Sequence, residues 1–371
     1  MINDSSVLKS ILKDSLVRPE ENGRGEIVPL SETKKQRLNK LWSHLVVFEE
    51  NQKLKIVFRG DKKARLEEKL FKKYEELKPG KLFDRLFYVG EKSKSYFQYN
   101  VLDEREQKAI NSQKERSYLL DINDDSDYTF DFIFKKIQEI FSPNNIQSPN
   151  IRNAVKEFKE NNENFYSFFC TESNKKLFIE LTKKITGSQA RQRTKDYYLY
   201  LLHTFGEKDF RLLSFFVSTS ENKEQAEKFA TSKKEDGRIT QEIKSIILVY
   251  MVPEPFHEHG MSLSLADKFK KDYESTSLPF YKTDFYPEQK ELSIKGALFP
   301  QYMLGAYDLE HNYFVVNPHI FKQPKDMLSQ VPSTGLIINQ TDFEKIIQET
   351  GYASYVTCIR GIYLDAKSRA Y

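Results

Sequence analysis

The chain has 371 residues, 39 % hydrophobic and 30 % charged, and its 58 Lys and Arg against 54 Asp and Glu leave a net charge of +4. That near balance, with mixed-sign runs such as Arg65-Leu66-Glu67-Glu68-Lys69, describes solvated helix faces rather than a nucleic-acid footprint. An aromatic content of 13 % excludes global disorder, and 14 Gly and 2 Cys exclude collagen-like and disulfide-scaffold chains.

Residues 1–50 are polar and read as an N-terminal helical segment ending in Leu41–Phe48. Lys53–Gly60 then alternates Leu54, Ile56 and Phe58 against Lys53, Lys55 and Arg59, the pattern of a strand with one buried face. Leu66, Leu70, Tyr74 and Leu77 predict a helix over 64–78, stopped by Pro79-Gly80, and Leu86–Val89 reads as a short strand. From about 101 to 205 helical spacing dominates. Phe130, Ile133, Phe134, Ile137, Ile140 and Phe141 fall on one helix face, and the region reads as a helical insertion or subdomain.

Beyond Gly206 come short apolar runs at Leu213–Val217, Ile246–Val252, Leu292–Ile294, Tyr302–Leu304 and Tyr313–Val316, each bounded by polar or turn residues. The tail, 336–371, reads as a C-terminal extension with a strand, a helix over Asp342–Glu349 and a last strand near Tyr355–Tyr363. The class is α+β, with 51–335 as the main domain.

Cys170 and Cys358 are too few for a zinc site built on sulfur and read as buried free thiols of a reducing cytoplasm. The longest apolar run, Ile246–Val252, falls far short of the ~20 residues of a membrane span, so a soluble protein is expected. Met1–Ser6 has no basic stretch followed by an apolar one, so no Sec-type signal is expected, and delivery into a target cell by another route stays open.

No P-loop, dinucleotide glycine motif, HExxH or GxSxG occurs. His257-Glu258-His259 lacks a third ligand in register and reads as a surface loop, so no metal is expected. Three segments stand out. Arg59 closes the first strand. Ser218-Thr219-Ser220 closes the strand from Leu213 and precedes a helix that Ser220 is placed to cap. Gln289-Lys290-Glu291 opens Glu291–Ile294. Strand alternation puts Arg59 with Lys55, Ser218 with Ser214, and Glu291 with Gln289 and Ser293 on the more polar sides. A cation, a hydroxyl cluster and a carboxylate could then line one cleft.

Arg, then Ser-Thr-Ser, then Gln-x-Glu, in that chain order on three strands, resembles the mono-ADP-ribosyltransferases of the Arg–Ser–Glu class, found among bacterial toxins and effectors and vertebrate ectoenzymes. The likeness is densest from about 210 to 307, including Phe229-Ala230 and Glu291–Pro300 with Gly305, and Val57-Phe58-Arg59-Gly60 is similar to the family's first motif strand. It implies a split mixed β-sheet ADP-ribosyltransferase core over 51–335, with the helical insertion at about 101–205 outside the likeness.

The resemblance also implies NAD as substrate and no metal. Glu291 would stabilise the cation that forms on the ribose when nicotinamide leaves, and Ser218 would orient that carboxylate. Arg59 would contact the diphosphate, Thr219 and Ser220 would shape the nicotinamide-ribose pocket, and Phe229 would either stack on nicotinamide or be an ordinary buried helix aromatic. Gln289, at a position where Glu accompanies arginine acceptors, points to asparagine or another group, and Tyr286 matches the aromatic of the substrate-recognition turn. Pro279, Phe280, Tyr281 and Phe285 on the approach loop read either as a contact surface or as core packing. The acceptor is expected to be a protein, with a nucleic acid less favoured; NAD hydrolysis and an inert binding module are the other readings. The helical insertion could cover the NAD cleft, bind the target, or receive an inhibitor or accessory protein.

Overall fold

A computed structural model describes residues 16–19, 27–50, 54–71, 82–83, 86–87, 126–142, 149–205, 216–231, 244–253, 260–261, 276–295, 303–317, 356–359 and 362–365. In chain order these form β1 (Leu16–Pro19), β2 (Ile27–Pro29), α1 (Glu32–Glu50), β3 (Leu54–Lys62) and α2 (Lys63–Phe71). Five helices follow: α3 (Asp127–Phe141), α4 (Pro149–Asn161), α5 (Glu163–Cys170), α6 (Asn174–Lys183) and α7 (Ser188–Phe205). Next are β4 (Phe216–Ser220), α8 (Lys223–Thr231), β5 (Ser245–Pro253), β6 (Gly260–Met261), a 3₁₀ turn Pro287–Gln289 and β7 (Glu291–Lys295). The last strands are β8 (Met303–Asp308), β9 (Tyr313–Val316), β10 (Val356–Ile359) and β11 (Ile362–Asp365). The chain divides into a sheet unit (1–101, 217–259, 296–371) and a helical unit (102–216, 260–295). The helical insertion expected at about 101–205 thus falls in a unit that also holds residues 260–295.

In the sheet unit, Ile246–Val249 of β5 are fully buried, so both faces of this strand are covered and its sequence shows no alternation. β5 pairs antiparallel with β3 on one side and β8 on the other. The sheet continues from β8 to β9 and β1 to β2, the β9–β1 pairing being parallel, and from β3 to β4 through Phe58 opposite Ser220. It is therefore a mixed sheet, and the fold class is α+β. Helix α8 lies directly on β3, since a Cβ added to Gly60 would fall 1.8 Å from the Ala226 carbonyl oxygen.

In the helical unit the whole predicted stripe of α3, Phe130 to Phe141, is buried, and Ser126 accepts the Thr129 N–H at 3.4 Å as its N-cap. Aromatic rings hold the helices together. Phe134 lies 5.2 Å from Phe169 and 5.9 Å from Phe178, and Phe178 lies 5.0 Å edge-on to Tyr198. β6 and β7 pair antiparallel, Gly260 with Ile294 and Met261 with Ser293.

Several expectations are corrected. The N-terminal segment is not helical throughout: residues 16–19 and 27–29 are strands, because they find partners in β9 and in each other that lie outside any local window. Leu86 and Phe87 are helical rather than extended, in keeping with the pairs Leu82/Leu86 and Phe83/Phe87, four residues apart and buried. Cys170 is a free but exposed thiol. The end of the expected strand near 355–363 is a hairpin of β10 with β11. The helix at 342–349, residues 72–78 of the predicted helix and the His257–His259 segment lie outside the described residues.

Candidate functional site

The proposed cation sits in the sheet unit. β3 sends Ile56 and Phe58 into the core and leaves Lys55 and Arg59 half-buried on the opposite side, where Val57 is also buried. The Arg59 guanidinium is bound on two sides: Nη1 donates to the Ser218 carbonyl oxygen at 2.7 Å, and Nη2 lies 4.0 Å from Asp61. A cation fixed in this way presents its donors in a set orientation.

β4 buries Phe216, Val217, Thr219 and Ser220 and exposes Ser218. The start of α8 involves both Ser220 and Asn222. The Ser220 hydroxyl accepts the Asn222 N–H at 3.0 Å, and Asn222 caps the helix by accepting the Glu224 N–H at 2.9 Å. The core-facing residues of α8 are Ala226 and Ala230, and Phe229 is 56 % exposed, so it is no buried helix aromatic.

The proposed carboxylate belongs to the helical unit. Tyr286 precedes the 3₁₀ turn Pro287–Gln289, and Lys290 then takes φ 45°, ψ 48° before β7 begins at Glu291. A left-handed lysine is strained, and such strain gathers at functional turns. It also corrects the expected face-sharing of Gln289 and Glu291, because Gln289 lies in the turn and not on the strand.

The Glu291 side chain is 12 % exposed, and Oε1 accepts the Ser293 hydroxyl at 2.6 Å. His203 Nε2 of helix α7 lies 3.5 Å from the same oxygen, its ring 5.7 Å from Phe216. Alternation along β7 puts Ser293 beside Glu291, but its role as hydroxyl donor to the carboxylate was not foreseen. His203 was missed altogether, although Tyr200, His203 and Thr204 recur at helical spacing in the otherwise apolar stretch Tyr197–Phe205.

A second carboxyl lies close by. Burial pushes the Asp284 carboxyl up to about 6, and the charge on Glu291 adds to this, while hydrogen bonds from Tyr200, the Phe285 N–H and Thr204 pull the other way. Tyr200 donates to Oδ2 at 2.7 Å, and its own phenol is pushed well up by burial and by both acids. The folded chain thus holds the Asp284 proton more tightly than an unfolded carboxyl does. The resulting stabilisation is complete below about pH 4 and is lost as pH rises through about 6. Asp284→Asn, which keeps a polar partner for Tyr200, is expected to be more thermostable than the parent at pH 7.5 and to lose that advantage by pH 4.5. Melting curves of the two proteins across that range check this, and a constant difference would remove Asp284 as the cause.

Asp308, Glu310 and His311 place ligand atoms within 4.8 Å of one another. Lys63 Nζ already occupies the cluster, 2.6 Å from Asp308 and 2.8 Å from Glu310, and Lys244 adds a contact to Glu310 at 3.0 Å. These ammonium groups hold the Glu310 carboxyl down to about 2. The cluster ties the start of α2 to the end of β8.

The structure therefore groups Arg59, Ser218, Thr219, Ser220 and Phe229 in one unit, and Tyr286, Gln289 and Glu291 in the other. No protein-family model, curated protein or solved structure matches this chain. No helix among the described residues is long and apolar enough to cross a membrane.

Proposed function

We propose that the chain is an NAD-dependent mono-ADP-ribosyltransferase of the bacterial toxin or effector type, moving ADP-ribose to a macromolecular acceptor, in first place a protein side chain. The observation that carries this reading is Glu291. It is a carboxylate largely withdrawn from water, held at Oε1 by the Ser293 hydroxyl, at the head of a strand entered through a strained turn. A fixed negative charge in such a place stabilises a cation that develops beside it. In the proposed reaction the bond between the nicotinamide nitrogen and ribose C1′ breaks, its electron pair leaving with nicotinamide. The acceptor's nucleophilic atom then bonds to C1′ and gives up its proton.

In the sheet unit, the guanidinium of Arg59, oriented by the Ser218 carbonyl, suits the diphosphate of NAD. The exposed ring of Phe229 supports stacking on nicotinamide over a core role. Gln289 offers a neutral amide where a guanidinium acceptor would want a carboxylate, and the near-neutral chain favours a protein over a nucleic acid.

The test is incubation of the protein with NAD labelled in the adenylate, together with cell lysate. Label in a protein band is the expected result. Free ADP-ribose and nicotinamide alone would make the chain an NAD glycohydrolase, and label in RNA or DNA would change the acceptor class. Undiminished NAD would leave only an inert binding module.

A further inference from the structure

The loop that leads into the 3₁₀ turn is tied down along its length by the helical unit. Tyr198 of α7 donates its hydroxyl to the Pro279 carbonyl at 2.9 Å, Tyr197 accepts the Tyr281 N–H at 3.0 Å, and Tyr200 bonds Asp284. Tyr281 and Phe285 are buried, Phe285 stacking on Phe158 of α4 at 4.3 Å, so for these two rings core packing wins over a contact surface. Phe280 packs edge-on to Tyr197 at 5.5 Å and remains half-buried, as does Tyr286.

At the junction of α4 and α5 stands Asn162, 4 % exposed. It occupies the residue before α5, where an asparagine ordinarily accepts an N–H of the first helical turn, yet it makes no such bond. Its Oδ1 instead accepts the N–H groups of Lys282 and Thr283. Its Nδ2 donates to the Thr283 carbonyl at 3.2 Å, to the Thr283 hydroxyl at 3.0 Å and to the Phe158 carbonyl at 2.9 Å. A buried side chain that gives up its local helix bond to satisfy a segment about 120 residues further along the chain is committed to that segment.

We propose that Asn162 is a positioning residue for acceptor selection: it clamps the loop Leu278–Tyr286 so that Tyr286 and Gln289 meet the acceptor in one fixed arrangement. This assigns the helical insertion a task, holding the recognition loop, and it rests on the transferase reading above. A clamped loop needs no ordering when the acceptor arrives, which lowers the cost of binding. Losing the clamp would therefore weaken acceptor binding and leave NAD cleavage by Glu291 in place.

Amide hydrogen exchange tests the clamp without any assumption about function. In Asn162→Ala the Lys282 and Thr283 amides are expected to exchange at least about tenfold faster, because buried hydrogen bonds set local opening. Asn162→Ser, which restores a good helix-starting residue but cannot span the same partners, is expected to behave like the alanine variant; protection at the parent level would mean that Asn162 serves α5 alone and would overturn the proposal. Thr283→Val, which changes only the loop side, gives a smaller acceleration in the same amides and serves if both Asn162 variants unfold.

With the label assay, the Asn162 variants are expected to raise KM for the protein acceptor about tenfold or more, with acceptor-free NAD hydrolysis within about twofold of the parent. Faster exchange with an unchanged acceptor KM would overturn the role in acceptor selection. Absence of any NAD consumption by the parent protein would instead remove the transferase reading, and the exchange data would still decide whether the loop is clamped.

Discussion

On the transferase reading proposed above, Glu291→Gln is expected to lower NAD cleavage by about 10²–10³, the loss that follows when one well-placed electrostatic group, worth ~3–4 kcal/mol in the transition state, is neutralised. The amide keeps an oxygen that can accept the Ser293 hydroxyl, so the hydrogen bond at 2.6 Å and the entry to β7 survive the exchange. What disappears is the negative charge, and it disappears from a side chain 12 % exposed, where water does little to screen it. The effect should therefore fall on kcat, with little change in KM for NAD. Nicotinamide release in single-turnover experiments reads the step directly, and a melting curve shared with the parent shows that the fold is intact. A variant within a few-fold of the parent would dismiss the catalytic role proposed for Glu291.

The second large effect concerns stability. Gly60→Ala is expected to cost about 3 kcal/mol or more, at or beyond the upper end for overpacking, and to lower the melting midpoint by roughly 4 °C or more. The added Cβ would lie 1.8 Å from the Ala226 carbonyl oxygen, 2.7 Å from its carbon and 2.9 Å from the Ala230 nitrogen. All three are main-chain atoms of α8, and no side-chain rotation can clear them. Either the helix lifts from β3 or the strand bends beside Arg59. Thermal denaturation followed by circular dichroism checks this, and an unchanged midpoint would mean that helix and strand are farther apart than described.

Gly60 also illustrates what the sequence could and could not disclose. The strand that holds it was legible because Ile56 and Phe58 alternate with Lys55 and Arg59, and β5 was legible as an unbroken apolar run. The stripe of α3 was legible because its period is local. Why a glycine must follow Arg59 was hidden, since the reason is a helix that begins at residue 223. Strands β1 and β2 were hidden for the same reason: their partners give no signal within a short window.

In the candidate site the proposed carboxylate is singled out by its neighbours in the chain, whereas His203 and Asn162 reach their partners across 88 and about 120 residues. Asn222 was not foreseen as a cap because serine, threonine and asparagine are interchangeable signals there, and only the geometry shows it accepting the Glu224 N–H. Strand alternation extends back to Gln289 only if Lys290 is extended, and nothing in a lysine announces a left-handed backbone.

The two units are interleaved along the polypeptide, each begun before the other is finished. As the chain leaves the ribosome, the helices of 126–205 are made long before the segment 276–295 that supplies the rings of Tyr281 and Phe285 to Phe158. Until then that aromatic cluster lacks the two rings that complete it. Biogenesis of the helical bundle is thus timed by the synthesis of the very loop it grips, and neither unit can be excised as a single uninterrupted fragment.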